Sequence, residues 1–347
     1  MSWYAIESVD EAIDTTRSFL FPIKPGQWVR LALIALFVGV GGGGLSTISN
    51  AGGLPSGMPA GPAPQEPTSV PPEPSLEALP VEPALIVAAI GAIFLVGLVL
   101  TLLSETLRLV LYDGLRTGTV RLRGPARRRF GQALRLFGFK LAVNIAFGLP
   151  FVALGAAIVL TSVDVGNGAA LIVGGLLAAV GLLLWFVGYS IIMRVTTEFV
   201  APVMVLTDTG VLAGWRRFWP VLRGNLAQFG VYVVAHFLLL LAISIGQTIV
   251  AAIVFGIIGT LGALVGLVVV LGVFGGLQAA LASTAGVVAL VVIVLLTVLV
   301  ATVCYLPIKI VVLAYVFSYE LSVLGAADEE LRLLPVDDDT GTTANPT

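Results

Sequence analysis

The chain has 347 residues, 58% of them hydrophobic and 11% charged, with a mean hydropathy of +1.06. Soluble domains carry about 25% charged residues, so there are too few ionic groups here to cover a water-facing surface, and the chain reads as an integral membrane protein. A net charge of −2 offers no bulk attraction for nucleic acid.

In chain order, residues 1–27 carry Glu7, Asp10, Glu11 and Asp14 before any apolar run, which is not the pattern of a cleavable signal peptide. The first span is therefore expected to act as an uncleaved anchor. Val9, Ile13 and Leu20 can share one helical face. A bilayer core about 30 Å thick needs about 20 apolar residues per crossing helix. Spans are expected over 28–49, 84–107, 137–160 and 169–193, then from Leu226, and over 286–307. Residues 50–83 hold ten prolines, four Glu and no Lys or Arg, the composition of an extended, disordered outer loop. Residues 328–347 form an acidic tail expected to be disordered. The apolar, glycine-rich stretch 257–284 is expected to be a re-entrant or two-legged insertion that returns to its starting side. The single cysteine, Cys304, excludes an intrachain disulfide and any multi-thiolate metal site. It sits in an apolar run and is expected to be a small buried hydrophobe.

Of the 18 Lys and Arg, nine lie at 108–140, four at 194–223 and three at or before Arg30; the others are Lys309 and Arg332. The basic side of a polytopic protein faces the cytoplasm. Both termini are thus expected inside, in the plasma membrane, with 50–83 and 161–168 outside.

A repeat supports this layout. Arg128-Arg129-Phe130 followed by Leu134-Arg135 recurs as Arg216-Arg217-Phe218 followed by Leu222-Arg223, each leading into a span through Phe137-Gly138 or Phe229-Gly230. The N-terminal Arg17-Ser18-Phe19 fits the plan more loosely. The expected fold is therefore all-α, with about six transmembrane helices in three units of interfacial helix plus hairpin (about 1–111, 112–194 and 208–327). These units form one polytopic domain, 1–327.

Phe130, Leu134 and Phe137 fall on one helical stripe, as do Trp215, Phe218, Trp219 and Leu222. Apolar stripes flanked by arginines mark helices lying in the headgroup layer. Arg127, Arg128, Arg129, Arg135, Arg216, Arg217 and Arg223 are the candidate contacts to anionic lipid. The expected partners are membrane lipids, with a membrane-protein partner or second copy as candidates.

Polar groups inside spans are the other candidates for function: His236, with Asn144 and Gln247. No carboxylate is expected near His236, because Glu105 falls at a boundary beside Arg108 and Glu198 in a connection beside Arg194. Pro150, Pro202 and Pro307 are expected at helix ends. H-E-x-x-H, G-x-x-x-x-G-K-[ST] and G-x-S-x-G are all missing from the sequence, and there is no second His to build a zinc site. No catalytic, cofactor or metal residue is expected, and no enzyme activity.

Trp3-Tyr4-Ala5-Ile6, Tyr112-Asp113-Gly114-Leu115-Arg116-Thr117-Gly118 and Glu198-Phe199-Val200-Ala201-Pro202-Val203-Met204 resemble a group of multi-pass membrane proteins of unknown function from halophilic archaea. Trp215 to Asn225 is more distantly similar to the membrane domain of some glycerophosphodiester phosphodiesterases, whose catalysis resides in a separate soluble domain. The resemblance implies a scaffold and transfers no functional residue. The expected function is a non-catalytic scaffold, lipid-organising or partner-binding role. The alternatives are a channel or transporter with a path near His236 and 257–284, or an accessory subunit of a separately encoded enzyme.

Overall fold

The computed structural model describes residues 4–38, 83–161 and 168–334. Among these the chain is helical, with no strand: α1 (Tyr4–Leu20), α2 (Pro25–Phe37), α3 (Pro83–Thr117), α4 (Arg123–Thr161), α5 (Gly168–Val195), α6 (Ala201–Thr207), α7 (Val211–Gly224), α8 (Leu226–Gly272), α9 (Leu277–Ala282) and α10 (Thr284–Ala327). A single π-helical turn, Thr196–Val200, joins α5 to α6, and a 3-10 turn, Glu329–Leu331, follows α10. Among the described residues, five stretches are long and apolar enough to cross a membrane: Val87–Thr117, Arg123–Val152, Ala178–Thr207, Leu226–Gly272 and Thr284–Ala327. The expected first span is described only through α2 and Val38. Its remainder, the 50–83 loop, the connection holding Asp164 and the tail beyond residue 334 lie outside the described residues.

The breaks between helices follow local chemistry. Pro22 and Pro25 end α1 and start α2, since proline suits only the first turn of a helix. Gln27 Nε2 and Trp28 Nε1 then donate to the Phe19 and Leu20 carbonyls, at 3.0 and 3.3 Å, and so cap α1. Asn225 (φ −126°, ψ 30°) separates α7 from α8. No such residue stands between 123 and 161, so the expected in-plane segment and third span are one helix of 39 residues. Pro150 and Pro307 lie inside α4 and α10 instead of at their ends, a placement tolerated in apolar helices whose neighbours support the freed backbone. Pro202 does sit at a helix start, in the first turn of α6.

Segment 257–284 has the two-legged form expected of it, but it is continuous with the helices on either side. Its first part is the end of α8, which runs unbroken for 47 residues. Gly275 (φ +73°) and Gly276 (φ +150°) then turn the chain, through conformations that side-chain-bearing residues rarely adopt. Ser283 caps α10 by accepting from the Gly286 amide at 3.0 Å. α8 and α10 thus form one long antiparallel hairpin. Phe255 meets Tyr305 at 6.1 Å between rings, and Gly262 lies where a Cβ would overlap Thr297. Cys304 is exposed on α10, in its apolar stretch, and is not the buried hydrophobe expected.

Packing is concentrated at one end. Leu109, Leu111 and Tyr112 of α3, Phe199 and Met204, Phe218, Tyr232, and Phe317 to Leu324 of α10 form a continuous buried core. Phe199 stacks on Phe218 at 5.2 Å, and Phe229 meets both edge-on. Further along, α3, α8 and α10 expose Ile90, Phe94, Ile253, Leu264, Val292 and Leu299. Such surfaces suit hydrocarbon and not water. α1 packs on α10 through Ala5, Ser8, Ala12 and Thr16, small residues that permit close approach. Ile13 points outward with Ile6, whereas Leu20 is buried.

Candidate functional site

The packed end holds nearly all the ionic chemistry described. Arg194 ends α5, and the π-helical turn behind it carries Glu198. Such turns shift the register of a helix by inserting one residue, and they recur at functional sites. Arg194 Nε lies 2.8 Å from Glu198 Oε1, and the Tyr232 hydroxyl donates to Glu198 Oε2 at 2.8 Å. One turn beyond Tyr232 on α8, His236 places Nε2 3.9 Å from Glu198 Oε1. Its ring packs against Tyr232 and Tyr319, at 5.1 and 5.8 Å. Glu320 enters from α10, so one donor atom from each of Glu198, His236 and Glu320 lies within 4.8 Å of the others. His236 is 1% exposed and Glu320 4%. Nonetheless His236 Nδ1 and Glu320 Oε2 have no hydrogen-bond partner in the structure.

A second buried group adjoins it. Lys140 Nζ donates to Glu105 Oε1 at 2.7 Å, and Arg108 Nε lies 3.7 Å from Glu105 Oε2. Arg108 sits over the Phe317 ring at 5.3 Å. It is buried. Three carboxylates (Glu105, Glu198, Glu320) thus face three cations (Arg108, Lys140, Arg194) among α3, α4, α5, α8 and α10. Desolvation makes such buried pairs poor sources of net stability, but removing one partner is strongly unfavourable. They therefore specify how the helices meet.

The third group fixes one of the candidate lipid contacts. Arg129 Nε and Nη2 donate to both oxygens of Asp113 at 2.8 Å, and Nη1 donates to Asp208 Oδ1 at 2.8 Å and Gln132 Oε1 at 2.9 Å. Asp208 takes a left-handed conformation (φ 55°) at the end of α6. Arg129 is fully buried and cannot meet a lipid headgroup, because it sits on the stripe shared with Gln132, Ala133 and Leu136, which faces protein. Arg127 and Arg128 are exposed, and Phe130 and Leu134 point outward beside them. Arg135 is exposed beside Gly210.

Arg216, Arg217 and Arg223 are exposed on α7. Arg217 pairs with Glu330, and Arg223 lies over Trp219 at 4.6 Å. Phe218, on the stripe expected to sink into lipid, is buried in the protein core.

An open pocket of about 630 Å³ lies where α3 turns into α4, lined by Arg116, Thr117, Thr119, Arg121, Arg128 and Asp113 among others. The Asp113 carboxylate is taken by Arg129, leaving three arginines as the uncompensated charges of its wall. Arg116 and Arg121 belong to the basic run at 108–140 that the sequence shows.

The polar candidates do not form one site. Asn144 accepts from the Tyr189 hydroxyl at 2.7 Å and donates to the Lys140 carbonyl at 2.7 Å, joining α4 to α5. Gln247 lies about three turns past His236 on α8, on a part-exposed stretch. The expectation that no carboxylate approaches His236 is overturned by Glu198 and Glu320. The residues are far apart in sequence, and the π-helical turn that aims Glu198 leaves no mark in hydropathy.

These features define an all-α chain of the membrane-inserted class, with long apolar helices tied together at one end by buried ion pairs. Within that class, the chain belongs to the family of unknown function DUF7544, which matches residues 3–334. No curated protein and no solved structure matches it.

Proposed function

We propose that this protein is a non-catalytic, multi-pass scaffold of the plasma membrane, with both termini cytoplasmic, that gathers anionic lipid at its inner face. The observation that carries this reading is the 630 Å³ pocket lined by Arg116, Arg121 and Arg128, whose one acidic residue is already neutralised. Arginine recognises phosphate through its planar fork of donors, and basic pockets beside spans suit anionic headgroups. Phe130 and Leu134, exposed next to the pocket, would occupy the acyl boundary beneath those headgroups.

The packing around His236 favours a scaffold over a conducting path, since the ring is enclosed by Tyr232 and Tyr319. Six spans in three units belong to the same reading. The helix breaks before α2 and before α8 support the first and third units, while the middle unit has its two parts fused in α4.

Native mass spectrometry tests the lipid role. Protein extracted gently from membranes should carry anionic lipid, and Arg116→Gln/Arg121→Gln/Arg128→Gln should lose most of it. Arg216→Gln/Arg223→Gln should retain more. Equal lipid occupancy in the wild type and the triple variant would overturn the proposal.

A further inference from the structure

The junction of Glu198, His236 and Glu320 does more than hold helices together: we infer that it is a binding site for a first-row divalent transition-metal ion. Three elements with no sequence proximity bring two carboxylates and an imidazole to one point, with one donor atom from each inside 4.8 Å. Zinc-type ions sit about 2.0–2.2 Å from such nitrogen and oxygen donors, so the side chains need only close by about an ångström around the ion.

An unpartnered atom points to a ligand. Glu320 Oε2 is buried without a hydrogen bond, whereas buried polar side chains are as a rule satisfied. Other acceptors nearby already have partners: Glu198 Oε2 accepts from Tyr232, and Tyr112 donates to the Thr197 carbonyl. Leaving a buried acceptor unmade costs about 1–3 kcal/mol, a penalty that a cation held by Glu320 removes, while His236 offers the Nε2 that already faces Glu198. A mixed imidazole and carboxylate set suits Zn²⁺, Mn²⁺ or Fe²⁺ better than the all-oxygen shells of Ca²⁺ or Mg²⁺.

Charge raises the main objection, because Arg194 and Arg108 face the same carboxylates. The two arginines differ in access. Arg108 is buried against Phe317 and shared with Glu105, whereas the Arg194 side chain is 30% exposed, with only its Nε and Nη2 sealed against Glu198. Arg194 therefore stands as a displaceable counter-ion on Glu198 Oε1. It can swing outward as the metal enters, exchanging one positive group for another and opening the approach. Tyr232 then orients Glu198 from behind, as hydrogen bonds to metal-ligating carboxylates do.

The experiment uses the full chain in detergent or nanodiscs, stripped with chelator, reloaded with Zn²⁺ or Mn²⁺, desalted and measured by elemental analysis and by titration against a chromophoric chelator. One equivalent per chain is expected. Glu320→Gln keeps the shape of the side chain and should weaken binding by at least about 100-fold, beyond the 10–100-fold typical of losing an outer-shell partner. His236→Gln should do the same. Arg194→Gln should tighten binding by about tenfold, which a purely structural ion pair would not do. Substoichiometric metal in the wild type, or unchanged affinity in Glu320→Gln, overturns the assignment. If a variant fails to fold, Arg194→Gln alone decides: unchanged or weaker binding also overturns it. The result is independent of lipid occupancy at Arg116, Arg121 and Arg128.

Discussion

Arg129 and Arg128 are neighbours with identical chemistry, yet one is fully buried and the other lines an open pocket. Helical geometry explains the difference, since adjacent residues point about 100° apart. Arg129 shares its face with Gln132, Ala133 and Leu136, which are buried, while Phe130 and Leu134 point outward. In this part of α4 the aromatic stripe is the outside and the polar stripe faces protein, the reverse of α7, where Phe218 is buried and Arg216 and Arg217 are exposed. The partners of Arg129 are not legible in the sequence, because Asp113 and Asp208 come from other elements.

Truncating Arg129 to Ala strips both aspartates of their counter-ion, but Asp208 is 71% exposed and Asp113 15%. The loss should therefore fall just below the 3–5 kcal/mol typical of breaking a fully buried pair, at about 2–3 kcal/mol. Asp208→Asn removes only an exposed partner and should cost less than about 1 kcal/mol. Thermal unfolding of the purified variants measures both. Equal destabilisation by the two substitutions would contradict the geometry.

At the scale of elements, the hairpin of α8 and α10 rests on close approach. A Cβ at Gly262 would overlap Thr297, whereas Gly256 has open space around it. Gly262→Val should cost about 1–3 kcal/mol, as overpacking does, while Gly256→Val should be near neutral. Pairing Gly262→Ala with Thr297→Ala should recover most of what Gly262→Ala loses. A non-additive rescue in thermal unfolding is the signature of direct contact; simple additivity would separate the two helices.

The sequence shows why such hairpins form, through apolar runs and glycines at the turn, and most spans lie where hydropathy places them. It does not show where helices fuse. Composition changes from amphipathic to apolar within α4, but nothing between 123 and 161 interrupts the backbone, so one helix serves both surroundings. The π-helical turn at Thr196–Val200 is hidden for the same reason. Hydropathy averages over the turn, while the buried junction depends on where a single residue, Glu198, is aimed.

The whole molecule has an unequal profile above its ionic layer. At 1.5 Å per residue, α3 rises about 33 Å from Glu105 to Pro83, and α4 about 32 Å from Lys140 to Thr161, each matching one bilayer core of about 30 Å. From His236 to Gly272, α8 rises about 54 Å, and α10 matches it from Glu320 back to Thr284. Tilt alone would have to exceed the usual range of about 0–40° to fit such a hairpin into the hydrocarbon. The turn at Gly275 and Gly276 is therefore expected to stand beyond the outer surface, carrying exposed apolar side chains such as Leu264 and Val292 past the hydrocarbon that would suit them, with Cys304 held at hydrocarbon depth.

Cysteine labelling of intact cells tests this arrangement and the proposed orientation together. In a Cys304→Ser background, Gln278→Cys at the tip should react with a membrane-impermeant maleimide applied from outside. Wild-type Cys304 should stay unlabelled under the same conditions and react only after solubilisation. Labelling of the tip that requires permeabilised cells would invert the topology, since the basic residues that set orientation and the hairpin tip must lie on opposite sides. A tip unreactive under both conditions would instead place the turn within hydrocarbon, which requires the hairpin to lie steeply inclined and its apolar length to be absorbed by the membrane.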